Sequence, residues 1–176
     1  YIELIQKVIR TIGSIEVPLI AAVNGPAVAG GCDIALYCDI RTAVPKAFFA
    51  ESFIKLGILS GDGGLWILPR LIGLSRAFEM ALTADPLPAQ KALDIGLISA
   101  LHSPEELLPK TLELAERIAQ HSSPALRMTK LLLRESQKVD LDISLQLASA
   151  VQPLLHSTPE HLESVERLIA SLKHKK

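Results

Sequence analysis

Residues 18–33 read PLIAAVNGPAVAGGCD, and this stretch decides the fold. The short apolar run at 19–23, bounded by a proline and by Asn-Gly, is typical of a buried strand. Residues 24–26 are a turn, and the small residues at 29–31 form a loop that leads into a short helix at 32–37. The stretch therefore predicts a strand, a turn, a loop of small residues and a helix in close succession.

The patterning on either side of this stretch predicts an α/β unit followed by helices. Residues 39–44 and 47–50 are predicted strands, because the first alternates polar with apolar side chains and the second is a short apolar run. After a glycine cluster at 57–64, apolar residues recur at three- and four-residue steps. The predicted helices are 2–12 (ended by Gly13), 75–84, 88–95, 104–120, 124–138, 141–155 and 159–172. Trp66 is expected in the core.

Composition excludes several classes of protein. The 176 residues are 49% hydrophobic and 21% charged, which suits one globular domain or a compact core with an appended helical part. A net charge of −1 lacks the basic footprint of a nucleic-acid-binding protein. The apolar region 17–40 is interrupted by Gly, Pro, Asn and Asp, so we expect no membrane-spanning helix there. The sequence lacks an initiator Met and begins in helical spacing, which predicts that it starts partway through a protein.

Cysteine and histidine patterns indicate neither a disulfide framework nor a metal site. Cys32 and Cys38 lie in an apolar stretch, and we expect free thiols in a reducing compartment. This favours a cytoplasmic location, or a mitochondrial or peroxisomal one in a eukaryote. The histidines are scattered, so no metal site is predicted. Ser60 is no candidate nucleophile, because it lacks a nucleophile-elbow context.

The loop at 24–33 has the physical properties of an anion-binding site. Glycine allows a ligand to approach the backbone closely, and the first N–H groups of a helix have no internal partner. Such donors can hold a phosphate, or the enolate oxygen of a thioester. The glycine spacing does not fit GxGxxG, and no P-loop Lys follows, so a nucleotide site is disfavoured. A tight strand-to-helix turn without a ligand remains the structural alternative.

Several segments in order resemble the crotonase (enoyl-CoA hydratase/isomerase) superfamily, from about residue 17 to about residue 135. These segments are PLIAAVNG (18–25), AGGCD (29–33), CDIR (38–41), FAESF (49–53), GDGG (61–64), LPR (68–70), TAD (83–85), AQKAL (89–93) and GLIS (96–99). The resemblance implies an α/β fold: a partial spiral of β-β-α turns followed by a C-terminal helical trimerisation region. We expect a spiral core at 1–121 and a helical oligomerisation region at 122–176.

The same resemblance implies a site for an acyl-CoA thioester. Family members hold the enolate oxygen between two backbone N–H groups; the second donor falls on Gly30, and the first lies in a segment that this chain does not contain. Ala29, Gly31 and Phe53 are then candidate substrate-binding residues. The implied partners are the acyl-CoA substrate and copies of the chain itself, as a trimer or a dimer of trimers. No cofactor is expected beyond the coenzyme A of the substrate.

The carboxylates depart from the hydratase pattern that the resemblance implies. Of the two family glutamates, one falls on Asp33, which is one methylene shorter, and the other falls on Phe53, which neither donates nor accepts a proton. Asp62, in a glycine-rich turn that opens a helix, and Glu51, which on a strand would share a face with Phe53, are candidate substitutes. A helix-dipole, salt-bridge or capping role is the alternative for each acid.

Three functions therefore remain open at this level. The first is that of an enoyl-CoA hydratase/isomerase family enzyme that stabilises an enolate. The second is a double-bond isomerase that uses one carboxylate, and the third is a non-catalytic acyl-CoA-binding relative that has lost the acids. Phe53 favours the second and third over ordinary hydration, and the chain alone, lacking one oxyanion donor, is expected to be inactive.

Overall fold

The strands of this protein form two three-stranded sheets, and helices connect them. The structure is a computed structural model that describes residues 1–173. Its strands are β1 (Ile20–Val23), β2 (Pro26–Val28), β3 (Ile40–Ala43), β4 (Phe48–Ala50), β5 (Leu87–Pro88) and β6 (Ala100–Leu101). Its α-helices are α1 (Ile2–Ser14), α2 (Gly30–Tyr37), α3 (Gly64–Ile72), α4 (Leu74–Thr83), α5 (Ala89–Asp94), α6 (Leu107–Ala119), α7 (Ser123–Glu135), α8 (Leu141–His156) and α9 (Pro159–Lys173).

The sheet order confirms the predicted β-β-α turns. One sheet has the order β1-β3-β6, and the other has the order β2-β4-β5. β1 pairs with β3 and β2 pairs with β4, both in parallel, with Ile20 opposite Ile40 and Ala27 opposite Phe49. The passage from β1-β2-α2 to β3-β4 therefore adds one strand to each sheet, and parallel neighbours require such a crossover. The last two strands do not repeat it, because β5 pairs antiparallel with β4 and β6 pairs in parallel with β3. The predicted α/β class and the helical character of the C-terminal region are confirmed.

By its internal contacts the chain divides into two compact units. The first comprises Tyr1–Ile15 and Leu19–Ala115, and the second comprises Glu16–Pro18 and the described residues from Glu116 onward. In the second unit the Lys130 ammonium donates to the Val17 carbonyl at 2.7 Å. The functional division into residues 1–121 and 122–176 stays a prediction.

In the first unit a buried cation fixes the end of α2. The Arg41 side chain is 6% exposed, and its guanidinium donates to the carbonyls of Leu97 at 2.7 Å and Cys38 at 2.6 Å. Two further carbonyls, of Ala35 and Leu36, accept from the same group. The carbonyls of Ala35, Leu36 and Cys38 lie at the C-terminal end of α2, where helix carbonyls lack their usual i+4 donors. Arg41 thus holds α2 against the segment that follows α5.

Several local predictions need correction. α1 runs through Gly13 to Ser14, and residues 30 and 31, predicted as loop, are the first residues of α2. The helix expected to open after the turn of Asp62 is α3, but the sequence does not predict its bounds, because it begins at a glycine and contains Pro69, which lacks the N–H of an ordinary helical residue. Trp66 is 44% exposed rather than in the core, and the Arg70 guanidinium lies 3.9 Å from the centre of its ring.

Among residues 1–173 neither cysteine forms a disulfide; Cys32 is buried and Cys38 is partly buried. Among residues 1–173, no helix has the length and apolar character needed to cross a membrane. No group of three or more His, Cys, Asp or Glu side chains in the same residues is arranged to hold a metal ion.

Candidate active site

The site begins where β2 passes into α2. Ala29 has a positive φ of 51°, which is costly for a residue with a Cβ, and its N–H donates to the Ala50 carbonyl at 2.9 Å. This hydrogen bond extends the β2–β4 pairing and holds the strained residue in place. Gly30 follows as the first residue of α2, so its N–H has no acceptor within the helix. No hydrogen bond of the described residues uses this N–H. Gly31, the next residue, has open space where a Cβ would stand.

Asp33 lies in the first turn of α2 and is fully buried. Its exposed fraction is 0%, and its Oδ2 accepts a hydrogen bond from Ser60 Oγ at 3.0 Å. Its Oδ1 has no hydrogen-bond partner among the described residues. A buried carboxyl oxygen without a donor is costly, and such groups call for a functional or structural explanation. A role limited to offsetting the helix dipole does not explain the burial.

Asp62 lies beside both Asp33 and Gly30. Its Oδ1 accepts from the same Ser60 hydroxyl at 3.0 Å, and the residue is 6% exposed. Its Oδ2 lies 3.3 Å from the place where a Cβ on Gly30 would stand. The structure therefore brings together the predicted oxyanion glycine and two of the predicted acids.

Two glycines allow this close approach. A Cβ on Gly64 would overlap Asp33 Oδ1 and would lie 2.8 Å from Ser60 Oγ, whereas the Gly64 N–H donates to that Oγ at 3.1 Å. Gly63 has a φ of 105°, and a Cβ on it would collide with the Tyr37 hydroxyl, which donates to the Gly63 carbonyl at 3.2 Å. From the other side, Gln6 of α1 donates to the Gly61 carbonyl at 2.8 Å. The turn that carries Ser60 and Asp62 is thus fixed between α1 and α2.

Burial and mutual repulsion keep part of this cluster protonated. The pKa of Asp33 is raised to about 9, chiefly by burial, then by the neighbouring Asp62 carboxyl and by the charge of Glu51, while the Ser60 hydroxyl opposes the rise. Burial also raises the pKa of Glu51; nearby Asp33 and Cys32 oppose this rise and Asp62 adds to it. None of the three acids forms an ion pair with a described residue. The site can therefore hold a carboxylic acid near neutral pH, as proton-transfer sites require.

Glu51 is close to Asp33, but not in the predicted way. β4 ends at Ala50, and Glu51 precedes a 3₁₀ helix, Ser52–Leu56, so the expected strand face shared with Phe53 does not exist. Glu51 is 2% exposed, and neither carboxyl oxygen has a hydrogen-bond partner among the described residues. Phe53 lies in the 3₁₀ helix and is half-buried. It adds an apolar ring and no proton-transfer group.

Ser60 and Tyr37 are the site residues that sequence reasoning missed. The sequence indicates no nucleophilic role for Ser60, and its hydroxyl instead lies within hydrogen-bond distance of both aspartates. Burial raises the pKa of Tyr37, and the charges of Asp33 and Asp62 add to the rise while Arg70 opposes it. The available signal for Ser60 was its position two residues before Asp62 in a glycine-rich turn, where a short polar side chain can bond to its neighbours.

Comparison with known proteins adds a family likeness to this geometry. A sequence model described as enoyl-CoA hydratase/isomerase matches residues 1–175. The chain is 38% identical to a crotonyl-CoA hydratase of Syntrophomonas wolfei, covering 96% of the chain and 65% of that protein. It is 35% identical to a short-chain-enoyl-CoA hydratase of Clostridium acetobutylicum, covering 96% of the chain and 64% of that protein. The chain thus spans slightly less than two thirds of the length of these relatives.

The fold likeness is equally close. The crystal structure of an enoyl-CoA hydratase from Bacillus anthracis matches with a TM-score of 0.94 and 32% identity, over 97% of this chain and 66% of that one. The likeness extends from the β-β-α turns into the C-terminal helices, because nearly the whole chain is covered.

The raised pKa of Asp33 predicts a pH-dependent stability that Asp33→Asn removes. Between pH 3.8 and about 9 the unfolded state is ionised at Asp33 while the folded state keeps the proton. The folded state then binds more protons, so its free energy of unfolding falls as pH rises through this window, by at most about 1.4 kcal/mol per pH unit for one group. Urea unfolding from pH 5 to 9 should show a flatter dependence for Asp33→Asn than for the wild type. Parallel curves would mean that folding leaves the ionisation of Asp33 unchanged.

Proposed function

The chain belongs to the enoyl-CoA hydratase/isomerase family, and we propose that the complete protein acts on an enoyl-CoA thioester by stabilising its enolate. The observation that carries this proposal is the meeting of Gly30, Asp33 and Asp62 within one buried cluster. Removal of a proton from the carbon next to a thioester places negative charge on the thioester oxygen. A backbone N–H at the start of a helix stabilises such a charge, because the donor is fixed and the helix dipole is favourable there.

We assign the proton transfer to the pair Asp33 and Asp62. A carboxylate removes a proton from one carbon, the electrons move into the enolate, and a carboxylic acid returns a proton to another carbon. This moves a double bond without any net gain or loss of atoms. A pair that retains one proton offers both the base and the acid near neutral pH. Glu51, close to Asp33, is assigned the role of raising its pKa rather than of touching the substrate.

Double-bond isomerisation fits this arrangement better than hydration does. Hydration needs a base for the water and an acid for the carbon, placed on either side of the bond. The second acid of the family pattern falls on Phe53, whose ring supports neither role. Hydration is the second candidate, because the relatives in Syntrophomonas wolfei and Clostridium acetobutylicum are named as hydratases. Binding of an acyl-CoA without catalysis is the outcome if neither reaction occurs.

Ala29, Gly31 and Phe53 are our proposed substrate-binding residues. The two small residues flank the Gly30 N–H and leave room for a thioester, and Phe53 supplies an apolar surface for an acyl chain. We propose that the reaction uses no cofactor beyond the coenzyme A of the substrate. Two cysteines that form no disulfide with each other are consistent with a reducing compartment, so a cytoplasmic location remains our proposal.

We further propose that the protein assembles as a trimer or a dimer of trimers. α8 and α9 contain no buried residue. Large apolar side chains of the last three helices are exposed by 44% or more: Leu131, Leu133, Leu141, Ile143, Leu145, Leu154, Leu162, Leu168, Ile169 and Leu172. Apolar surface of this extent marks interaction sites.

The mass of the protein in solution tests the prediction of a trimer or a dimer of trimers. Light scattering of the protein at micromolar concentration should give a mass of three or six copies, because association covers the apolar faces of α8 and α9. A single species with the mass of one copy would contradict the prediction.

The proton-transfer assignment is tested by α-hydrogen exchange. Butyryl-CoA incubated with the complete protein in D₂O should gain deuterium at the α carbon, a reaction that needs the base and the enolate site but no double bond. Asp33→Asn and Asp62→Asn should each slow exchange by about 100-fold or more, the usual range for loss of a general acid or base. Acyl-CoA affinity, from calorimetry, should change little. Asp85→Asn, an exposed aspartate, is the matched control. Wild-type exchange in both site variants would contradict the assignment.

Phe53→Glu distinguishes isomerisation from hydration. The wild-type protein should convert a 3-enoyl-CoA to its 2-enoyl isomer faster than it hydrates crotonyl-CoA. Phe53→Glu should raise the rate of hydration, since it restores a carboxyl at the position of the second family acid. Phe53→Gln, which has nearly the size of the glutamate but no carboxyl, should not raise it. If the unmodified protein hydrates crotonyl-CoA rapidly, a carboxyl other than residue 53 must activate the water.

A further inference from the structure

The hydroxyl of Ser60 has more oxygen neighbours than it has hydrogens to donate. Ser60 Oγ lies 3.0 Å from Asp33 Oδ2 and 3.0 Å from Asp62 Oδ1, and it accepts from the Gly64 N–H at 3.1 Å. A serine hydroxyl has one hydrogen and two lone pairs. It can therefore donate to only one of the two carboxyl groups at a time. The other contact is a hydrogen bond only when that carboxyl is itself protonated and donates to Oγ.

There is an arrangement of hydrogens that satisfies all three contacts of Ser60 Oγ. The Gly64 N–H occupies one lone pair of Oγ, the hydroxyl donates to one aspartate, and the second aspartate donates its own proton to the remaining lone pair. All three contacts are satisfied only when Asp33 and Asp62 together hold at least one proton, and one proton is enough. The raised pKa of Asp33 is consistent with this state, which follows independently from the geometry.

We propose that Ser60 is a positioning residue that passes a proton between Asp33 and Asp62, so that the pair presents one base and one acid in each turnover. This proposal rests on the proposed function and deepens it. In one state Asp33 donates to Ser60 Oγ while Oγ–H donates to Asp62. As the Asp33 proton moves to Oγ, the hydrogen of Oγ moves to Asp62. One O–H bond breaks at Asp33 and one at Ser60, while one forms at Ser60 and one at Asp62. The pair keeps one proton and one negative charge.

The surroundings favour transfer inside the cluster over exchange with water. Asp33, Ser60 and Asp62 are all 6% exposed or less. Burial raises the pKa of Asp33 most, and besides Asp62 the titratable group that adds to this rise is Glu51. Burial likewise raises the pKa of Cys32 and of Tyr37, the acids add to both rises, and Arg70 opposes the rise at Tyr37. Glu51, nine-tenths buried and without a hydrogen-bond partner among the described residues, lies close to Asp33. The closeness of the Glu51 carboxyl disfavours a negative charge on both aspartates and so favours the state in which they share one proton.

The other role open to Ser60 is structural. Its Oγ accepts from the N–H of the first residue of α3, so Ser60 could serve only to cap that helix. The two roles make different predictions. A cap affects stability and leaves the pH dependence of catalysis unchanged, whereas a relay affects turnover and the protonation of the pair.

The test compares Ser60→Ala, Ser60→Thr and Ser60→Cys in the complete protein, with Ser14→Ala as the matched control because Ser14 is exposed and donates only to the Thr11 carbonyl. The assay is isomerisation of a 3-enoyl-CoA. Ser60→Ala should lower kcat by about 10- to 100-fold, within the range of proton-transfer contributions, with KM changed less than about twofold. Ser60→Thr, which keeps the hydroxyl, should restore most of kcat. Ser14→Ala should behave as the wild type.

The pH profile separates the relay from the cap. Since the Ser60 hydrogen bond lowers the pKa of Asp33, its loss in Ser60→Ala should move the alkaline limb of the kcat profile to higher pH. Ser60→Cys keeps the side-chain size but donates and accepts weakly, so it should also show reduced kcat and serves if Ser60→Ala does not fold. Wild-type kcat and pH profile in a folded Ser60→Ala or Ser60→Cys protein would overturn the relay. If Asp33→Asn and Asp62→Asn also retained full activity, the proposed function itself would fail.

Discussion

The arrangement of the site depends on the close approach of α2 and α3 at Gly64. A Cβ at this position would occupy the place of the Asp33 carboxyl, so only glycine permits the contact. Because the approach is so close, the turn before α3 lies directly against the first turn of α2. That turn carries Ser60 and Asp62, and the helix carries Gly30 and Asp33. One missing side chain therefore brings a backbone donor and two carboxyl groups into a single buried cluster.

The cluster costs stability, and the rest of the fold supports it. Three buried acids without a cation are unfavourable, since burial penalises each ionised form and the charges repel one another. The parallel β2–β4 pairing holds Ala29 in a strained conformation, and the buried Arg41 fixes the opposite end of α2. α2 is thus constrained at both ends. Proteins retain strain and unsatisfied polar atoms mainly where they serve function, so the cluster is better explained by chemistry than by folding.

Local patterns in the sequence predicted the parts of the site that depend on local structure. The apolar run of β1, the glycines at the start of α2 and the three-residue spacing from Gly30 to Asp33 are properties of neighbouring residues, and family resemblance gave them a role. Local patterns could suggest the contact of Ser60 with Asp62 but not its contact with Asp33, which arises only through the packing of α3 on α2. The end of the strand at residue 50 was predicted, but the 3₁₀ helix that follows was not, so the face that Glu51 would share with Phe53 does not exist. α3 was obscured by its glycines and by Pro69.

The same packing gives the shorter acid at position 33 a physical rationale. An aspartate retracts the carboxyl by one methylene from the place where the family pattern has a glutamate, and a single retracted acid would be poorly placed to serve two carbons. Here the retracted carboxyl reaches the Ser60 hydroxyl, and through it Asp62, whose other oxygen lies against Gly30. The shorter side chain, the serine and the second aspartate therefore form one arrangement, in which each residue has its use because of the other two.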